Sequence, residues 1–374
     1  MIGLVLAAAL NVVSASPDPA PSAACAYAAE RLPRALLVLG DDAVSTEETR
    51  ATRRALDLPE GALSRAASLT LARRLGATRL VMLRCLEENG QARLEAQAFG
   101  TAGPEAGDVL QASRPAAEVA VIVDDLARRI VKAATDPRPV YRAPAPPILL
   151  KVGAALLRRT ASERAVGLAQ VLVEDPTSIE IRLSLVESLL AARDFDAAAR
   201  IAAQASLAGV PARLARALRF SLGTALLESG RYAEARDALR LLAGERPSAA
   251  VLNNLGVALF RLRDPEGPSV FERAASLPDH RLRDIAFNHS LTLLFQTRAE
   301  EALVRLEAAV AGDTGDVRNL LLKVWALGML KREEERGELW GRLVEQAPSF
   351  AALGKPDPVR RLERIFLHER MPTS

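Results

Sequence analysis

The residues that could do chemistry are few, and their spacing does not gather them. The chain holds three histidines, His280, His289 and His368, and none has the spacing of a metal-ligand pair. His289 falls at a recurring packing position, so it reads as a hydrogen-bonded histidine between helices rather than a catalytic base. There is no phosphate loop ending in Gly-Lys-Ser or Gly-Lys-Thr, no glycine-rich dinucleotide turn, no Gly-x-Ser-x-Gly elbow and no Cys-x-x-Cys. The run Glu333, Glu334, Glu335 reads as a solvated helix face, not an acid–base pair. The sequence therefore predicts no catalytic residue, no metal and no cofactor. Two cysteines remain, Cys25 and Cys85. In an oxidising compartment they could form one disulfide; two unrelated thiols, one of them on a strand, is the favoured alternative. A lipid anchor on Cys25 would want a large aliphatic residue three positions earlier, and Ser22 stands there.

Arginine is the dominant base, but its pairs (Arg53-Arg54, Arg73-Arg74, Arg128-Arg129, Arg158-Arg159, Arg360-Arg361) are scattered among acids and the net charge is only +3. A phosphate-tracking surface needs a concentrated stripe, so no nucleic-acid partner is expected. The remaining class is recognition of protein by protein. It requires elements that hold a surface in place.

The 374 residues, 49% apolar and 25% charged, describe a soluble folded protein and suggest two to three domains. Alanine is abundant and aromatics reach only 4%, which suits thin, closely packed helices. Residues 1–15, MIGLVLAAALNVVSA, form an apolar run too short to cross about 30 Å of hydrocarbon at about 1.5 Å per residue. The run suits a signal peptide, with Val13-Ser14-Ala15 or Ser22-Ala23-Ala24 as cleavage sites. No Lys or Arg precedes Arg31, so the usual positive leader is missing unless the true start lies upstream; Pro17, Pro19 and Pro21 would break a continuing helix. The expectation is export to the periplasm or outside, with no stable membrane insertion after cleavage. If the segment is retained, a cytoplasmic location is expected.

Residues 31–135 read as a small α/β domain. Ala35 to Gly40 is a short apolar run that fits a buried strand, and Ser45 to Glu48 has capping-box spacing for a helix to about Asp57. Glu60 to Leu75 has a helical pattern, with Gly76 at its C-cap. Strands are expected over Thr78–Leu86 and Ala92–Phe99, joined by the hairpin dipeptide Asn89-Gly90, and over Asp108–Ala112. A helix follows over Ala116–Ala134. Residues 136–147, DPRPVYRAPAPP, have five prolines in twelve and read as an extended linker and domain boundary.

Residues 148–349 repeat. Leu222-Gly223 recurs at Leu255-Gly256, 33 residues on, and at His289-Ser290 after 34 more. Leu239, Phe271, Leu306 and Trp340 follow one another at 32, 35 and 34 residues. A period near 34 marks an array of helix–turn–helix units. The segment Phe220 to Pro247, with its Leu-Gly pair, Gly230, Tyr232, Ala235, Leu239 and closing Pro247, resembles a tetratricopeptide repeat. The next unit resembles it through Asn254, Leu255, Gly256, Phe271 and Ala274, and a third through Asn288, Ala302, Leu306 and Ala309. Flanking units are poorer; the last puts Arg336 near an expected small residue. Gly223, Ala235, Gly256, Ser290 and Ala302 are small where helices cross closely. Residues 350–374 would close the array, with Pro358 to Met371 as an amphipathic capping helix carrying Leu362, Ile365 and Phe366. More weakly, the N-terminal domain is similar to the small α/β domain of TolB-type envelope proteins, through Ala72 to Ala77 leading into a strand, the Asn89-Gly90 hairpin and Gly107 to Leu110 before a long helix.

The fold class is thus a small α/β domain followed by an all-α, tetratricopeptide-like solenoid. The resemblance implies a groove lined by the first helix of each hairpin, here Phe220, Asn253, Phe260, Arg261, Phe287 and Trp325. Ordinary interhelical packing is the competing reading for each phenylalanine. The lysine-and-asparagine clamp that some relatives use for a C-terminal carboxylate is absent from the pattern. The expectation is an exported, non-enzymatic adaptor for a peptide or protein partner; the alternatives are a structural component of an envelope assembly, or an enzyme with a site in the N-terminal domain.

Overall fold

The computed structural model describes residues 10–17, 22–44, 46–58, 63–75, 77–102, 106–134, 136, 138–277, 282–312 and 317–348. The chain forms two units, residues 1–229 and 230–374. The first begins with β1 (Leu10–Pro17), α1 (Ala23–Leu39), β2 (Asp42–Ala43), α2 (Thr46–Ala55), α3 (Arg65–Arg74), β3 (Arg79–Glu88), β4 (Gln91–Gly100), β5 (Leu110–Pro115) and α4 (Val119–Ile130). The strands make one sheet in the order β2-β1-β3-β4-β5. Asn89 and Gly90 both take positive φ, the backbone of a tight two-residue hairpin, and set Glu88 opposite Gln91. Ala92, Leu94 and Ala96 alternate as the buried residues of β4. The sheet packs against α1 and α4, whose Val119, Ile122, Val123, Leu126 and Ile130 form a buried stripe.

Three local expectations change. Ala35 to Leu39 is the last part of α1, which Ser22 caps and which ends at Gly40 with φ 117°. A short apolar run looks the same at the end of a buried helix as in a buried strand, and Tyr27, Ala28, Leu32, Ala35 and Leu36 continue one helical pattern. Second, Val13, Ser14 and Ala15 lie within β1, which pairs in parallel with β3 from Asn11↔Arg79 to Pro17↔Cys85. An apolar run with β-branched residues serves a strand as well as a leader. Third, Cys25 on α1 and Cys85 on β3 are joined by a disulfide with Cα atoms 5.5 Å apart, so they are not unrelated thiols. Among the remaining expected elements, α3 starts at Arg65 behind the Ser64 cap, later than Glu60.

The proline-rich segment is extended, as its composition requires, yet it is pinned. Val140 N–H donates to Asp124 Oδ2 at 2.8 Å, and the buried Tyr141 donates its hydroxyl to Glu180 Oε1 at 2.9 Å. The first unit continues through α5 (Pro146–Leu156), α6 (Ala161–Glu174), α7 (Ile179–Ala191), α8 (Phe195–Ala203) and α9 (Ala212–Glu228). α5 crosses α1 so closely that a Cβ on Gly153 would lie 1.8 Å from the Ala23 carbonyl oxygen.

The second unit contains α10 (Tyr232–Glu245), α11 (Ala249–Arg261), α12 (Gly267–Ala275), α13 (Leu282–Phe295), α14 (Ala299–Gly312), α15 (Val317–Met329) and α16 (Glu333–Gln346). Its turns repeat. Arg263, Thr297 and Lys331 each take a left-handed φ, and the N–H of the next residue returns to the carbonyl five residues back, on Leu259, Leu293 and Leu327. Arg193, followed by Asp194 bonding to Leu189, does the same in the first unit. Such a turn closes the first helix of a hairpin and frees the chain to reverse. The crossings match the small residues. A Cβ on Gly256 would lie 2.7 Å from the Phe271 ring, and Ser290 Oγ donates to the Ala302 carbonyl. Gly223 on α9 and Ala235 on α10 are both buried, and Pro247 is exposed between α10 and α11. Arg336 is accommodated at the last crossing because Gly328 leaves room for its guanidinium. The expected capping helix, Pro358 to Met371, lies outside the described residues.

Candidate functional site

In the second unit, the first helices α11, α13 and α15 carry two rows of side chains. One is polar: Asn288 Nδ2 donates to Asn253 Oδ1 at 3.0 Å, linking α13 to α11, and Asn253 Nδ2 donates to Asn254 at 3.3 Å. The other is aromatic. Phe260 and Phe295 have ring centroids 5.4 Å apart, and Phe295 meets Trp325 edge-on at 5.6 Å. Asn253 and Phe260 are seven residues apart, as are Asn288 and Phe295. Two helical turns return both members of each pair to one face, about 10 Å apart along the axis. Both asparagines and both phenylalanines are half-buried, so the rows combine interhelical packing with partial solvent access.

The six sequence-expected groove residues divide. Asn253, Phe260 and Trp325 come together in these rows, though Trp325 is 6% exposed and acts largely as the floor. Phe287 is 7% exposed and packs in the core, with the Arg318 guanidinium 5.3 Å from its ring; Arg318 in turn pairs with Asp284 at 2.7 Å. Arg261 turns over the Tyr232 ring at 5.6 Å. Phe220 is half-buried on α9 of the first unit. Sequence reading missed Phe295 and used Asn288 only as a repeat marker. Their spacing of 35 residues from Phe260 and Asn253 was the available signal. His289 is 2% exposed and stacks on Phe271 at 5.7 Å, but its Nε2 has no hydrogen-bond partner among the described residues, contrary to the expected bonded histidine. Burial, assisted by the Arg305 charge, pushes its pKa down to about 4.

The first unit holds a different constellation. Arg31 is fully buried and uses its whole guanidinium: Nε and Nη2 bind the two Asp124 oxygens at 2.9 and 3.0 Å, and Nη1 binds Glu180 Oε2 at 2.9 Å. Nη2 also donates to the Tyr141 carbonyl, and the Tyr141 ring lies 4.0 Å from the guanidinium carbon. One turn along α1, Arg34 binds Glu30 at 2.6 Å, Glu187 at 2.8 Å and the Ser184 hydroxyl at 2.8 Å. Burial raises the Tyr27 and Tyr141 hydroxyls far above their ordinary range, with Glu180 adding to both. Burial disfavours the Arg34 charge, but Glu30 and Glu187 outweigh it and hold the pKa above its usual value. The partners come from α1, α4, α7 and the proline-rich segment. With Arg31 sealed from solvent, the cluster is a clamp rather than a place for substrate. Among the described residues, no group of three or more His, Cys, Asp or Glu side chains could hold a metal ion.

No protein-family profile matches the chain, and no curated protein does. Among solved structures it is similar to YrrB, described as a tetratricopeptide-repeat protein with an unusual peptide-binding site, at 15% identity and a TM-score of 0.39, covering 54% of this chain and 99% of that one. It is similar to MamA at 18% identity and 0.39, covering 48% and 96%. The third is PilF of Pseudomonas aeruginosa, at 18% identity and 0.42, covering 55% and 90%. The repeated left-handed turns, the close crossings at Gly256 and Ser290 and the period near 34 make the helical part of this chain an array of tetratricopeptide-like hairpins.

Proposed function

We propose that the chain is a non-enzymatic adaptor that binds a peptide or protein segment along the first helices of its second unit. The observation that carries this reading is the pair of parallel rows, Asn253–Asn288 and Phe260–Phe295–Trp325. Asparagine amides can exchange their mutual bond for bonds to an extended backbone, and half-buried aromatic rings offer pockets at low ordering cost. The test is affinity capture with the full chain, repeated with Asn253→Ala combined with Asn288→Ala, after melting curves show that the variant folds. Loss of a partner captured by the parent is expected. Equal capture by both would overturn the reading.

The Cys25–Cys85 bridge supports an oxidising compartment, in keeping with export. Strand β1 bears on processing: a cut after Ala15 or Ala24 would remove most or all of it from between β2 and β3. That favours retention of residues 10–17 in the folded protein, which intact-mass measurement of the native product decides. The order α3, β3, hairpin, β4, β5, α4 is in keeping with a TolB-type domain.

A further inference from the structure

The second helices of the second unit each send one side chain toward the hairpin that follows. Leu239, Phe271 and Leu306 are fully buried at this place, under α11, α13 and α15 respectively. Trp340 is the fourth of the series, 34 residues after Leu306, and it is only half-buried. Its neighbour one turn on, Val344, is half-buried too, while Leu339 and Leu343 are sealed against α15. Among the described residues no helix follows α16, so the layer that covers the first three positions is missing at the fourth. Around that apolar strip α16 is acidic, with Glu333, Glu334, Glu335, Glu338 and Glu345 against Arg336 and Arg342.

The chain continues for 26 residues beyond Pro348. Within them, Leu362, Ile365 and Phe366 have the spacing of one helical face, and Arg360, Arg361, Arg364 and Arg370 outnumber Glu363 and Glu369. Residues 349–357 could span up to about 30 Å when extended, ample for a return across a helix pair separated by about 10 Å. Charge, apolar content and reach all suit one occupant. We propose that residues 358–371 fold back on α16 as a helix, with Leu362, Ile365 and Phe366 over Trp340 and Val344, and so take the place of a further hairpin. An array left open there would present the same apolar strip to another copy of itself.

The chain has two tryptophans, so Trp325→Phe leaves Trp340 as the sole reporter. Acrylamide quenching of this variant is compared with the same variant carrying Phe366→Asp, and with one ending at residue 349, over a range of protein concentrations. The full chain should show blue-shifted emission and a quenching constant several-fold lower than either altered form, at every concentration. Equal quenching in all three forms overturns the proposal. So does shielding that grows with concentration, which would make a second copy the occupant, or shielding that survives Phe366→Asp. If the shortened form does not fold, Leu362→Asp in the full chain replaces it, with circular dichroism confirming retained helix.

Discussion

The two units solve the same packing problem with opposite chemistry. In the first, α1 is fixed by charge and by covalent linkage: Arg31 and Arg34 reach α4, α7 and the proline-rich segment, and Cys25 ties the helix to β3. In the second, Leu239, Phe271 and Leu306 repeat one apolar contact from hairpin to hairpin. An ionic contact is specific because burying a charge without its partner is costly, so such a clamp admits one arrangement of its elements. An apolar layer recurs because any neighbour of the same shape satisfies it. The difference places uniqueness at the junction of sheet and helices, and repetition in the surface offered to partners.

The comparison breaks most directly at Arg31. Arg31→Ala would leave Asp124 and Glu180 buried without their counter-charge, at a cost of about 3–5 kcal/mol. Chemical denaturation should show that loss, and hydrogen exchange should place it on α1, α4 and α7 with protection of α13 and α15 kept. A loss under about 1 kcal/mol would mean that the clamp contributes little beyond its packing. Next is the disulfide. The bridge spans a sequence separation of 60, and removing it as Cys25→Ala with Cys85→Ala should cost about 3–4 kcal/mol by the loop-entropy relation. Equal stability with and without reductant would remove covalent linkage from the comparison.

This contrast also explains what the sequence revealed. The hairpin array was legible because its determinants recur: Gly256 and Ser290 at crossings, Phe271 and Leu306 in the layers. The turn residues were less so. Only Gly230 advertises a left-handed turn, while Arg263, Thr297 and Lys331 adopt one under tertiary constraint with no glycine to mark it. The clamp was not legible at all. Asp124 lies 93 residues from Arg31 and Glu180 149 residues away, and neither local pattern nor period connects them. The proline-rich segment looked like a boundary because prolines forbid helix and central strand; its role depends on Tyr141, whose burial no composition argument contains. Ala35 to Leu39 failed for a simpler reason, since β-strand and buried helix share short apolar runs.

In the second unit the largest expected effect is steric. Gly256→Leu would drive a side chain into the buried Phe271 ring and cost about 1–3 kcal/mol, read as a lowered midpoint of thermal unfolding. An unchanged midpoint would show that the crossing tolerates bulk and that the apolar layers are looser than the clamp by more than their chemistry.

The apolar unit has one titratable flaw, and it gives the finest test. His289 sits against Phe271, with Arg305, Arg298, Glu272 and Glu301 as the charged groups around it. Its folded pKa is about 4, below the about 6.5 of an unfolded histidine. The unfolded chain therefore takes up the proton first as pH falls. The stability contributed by keeping the ring neutral is fully present above about pH 6.5 and is lost progressively as pH falls toward 4. At pH 5 the loss should be about 1–2 kcal/mol relative to pH 7. His289→Leu keeps a buried apolar side chain and has no proton to gain, so its stability should fall less over the same interval. If parent and variant lose stability in parallel, the acid sensitivity of the second unit belongs to its carboxylates, and the apolar layer is as indifferent to protons as the leucines around it.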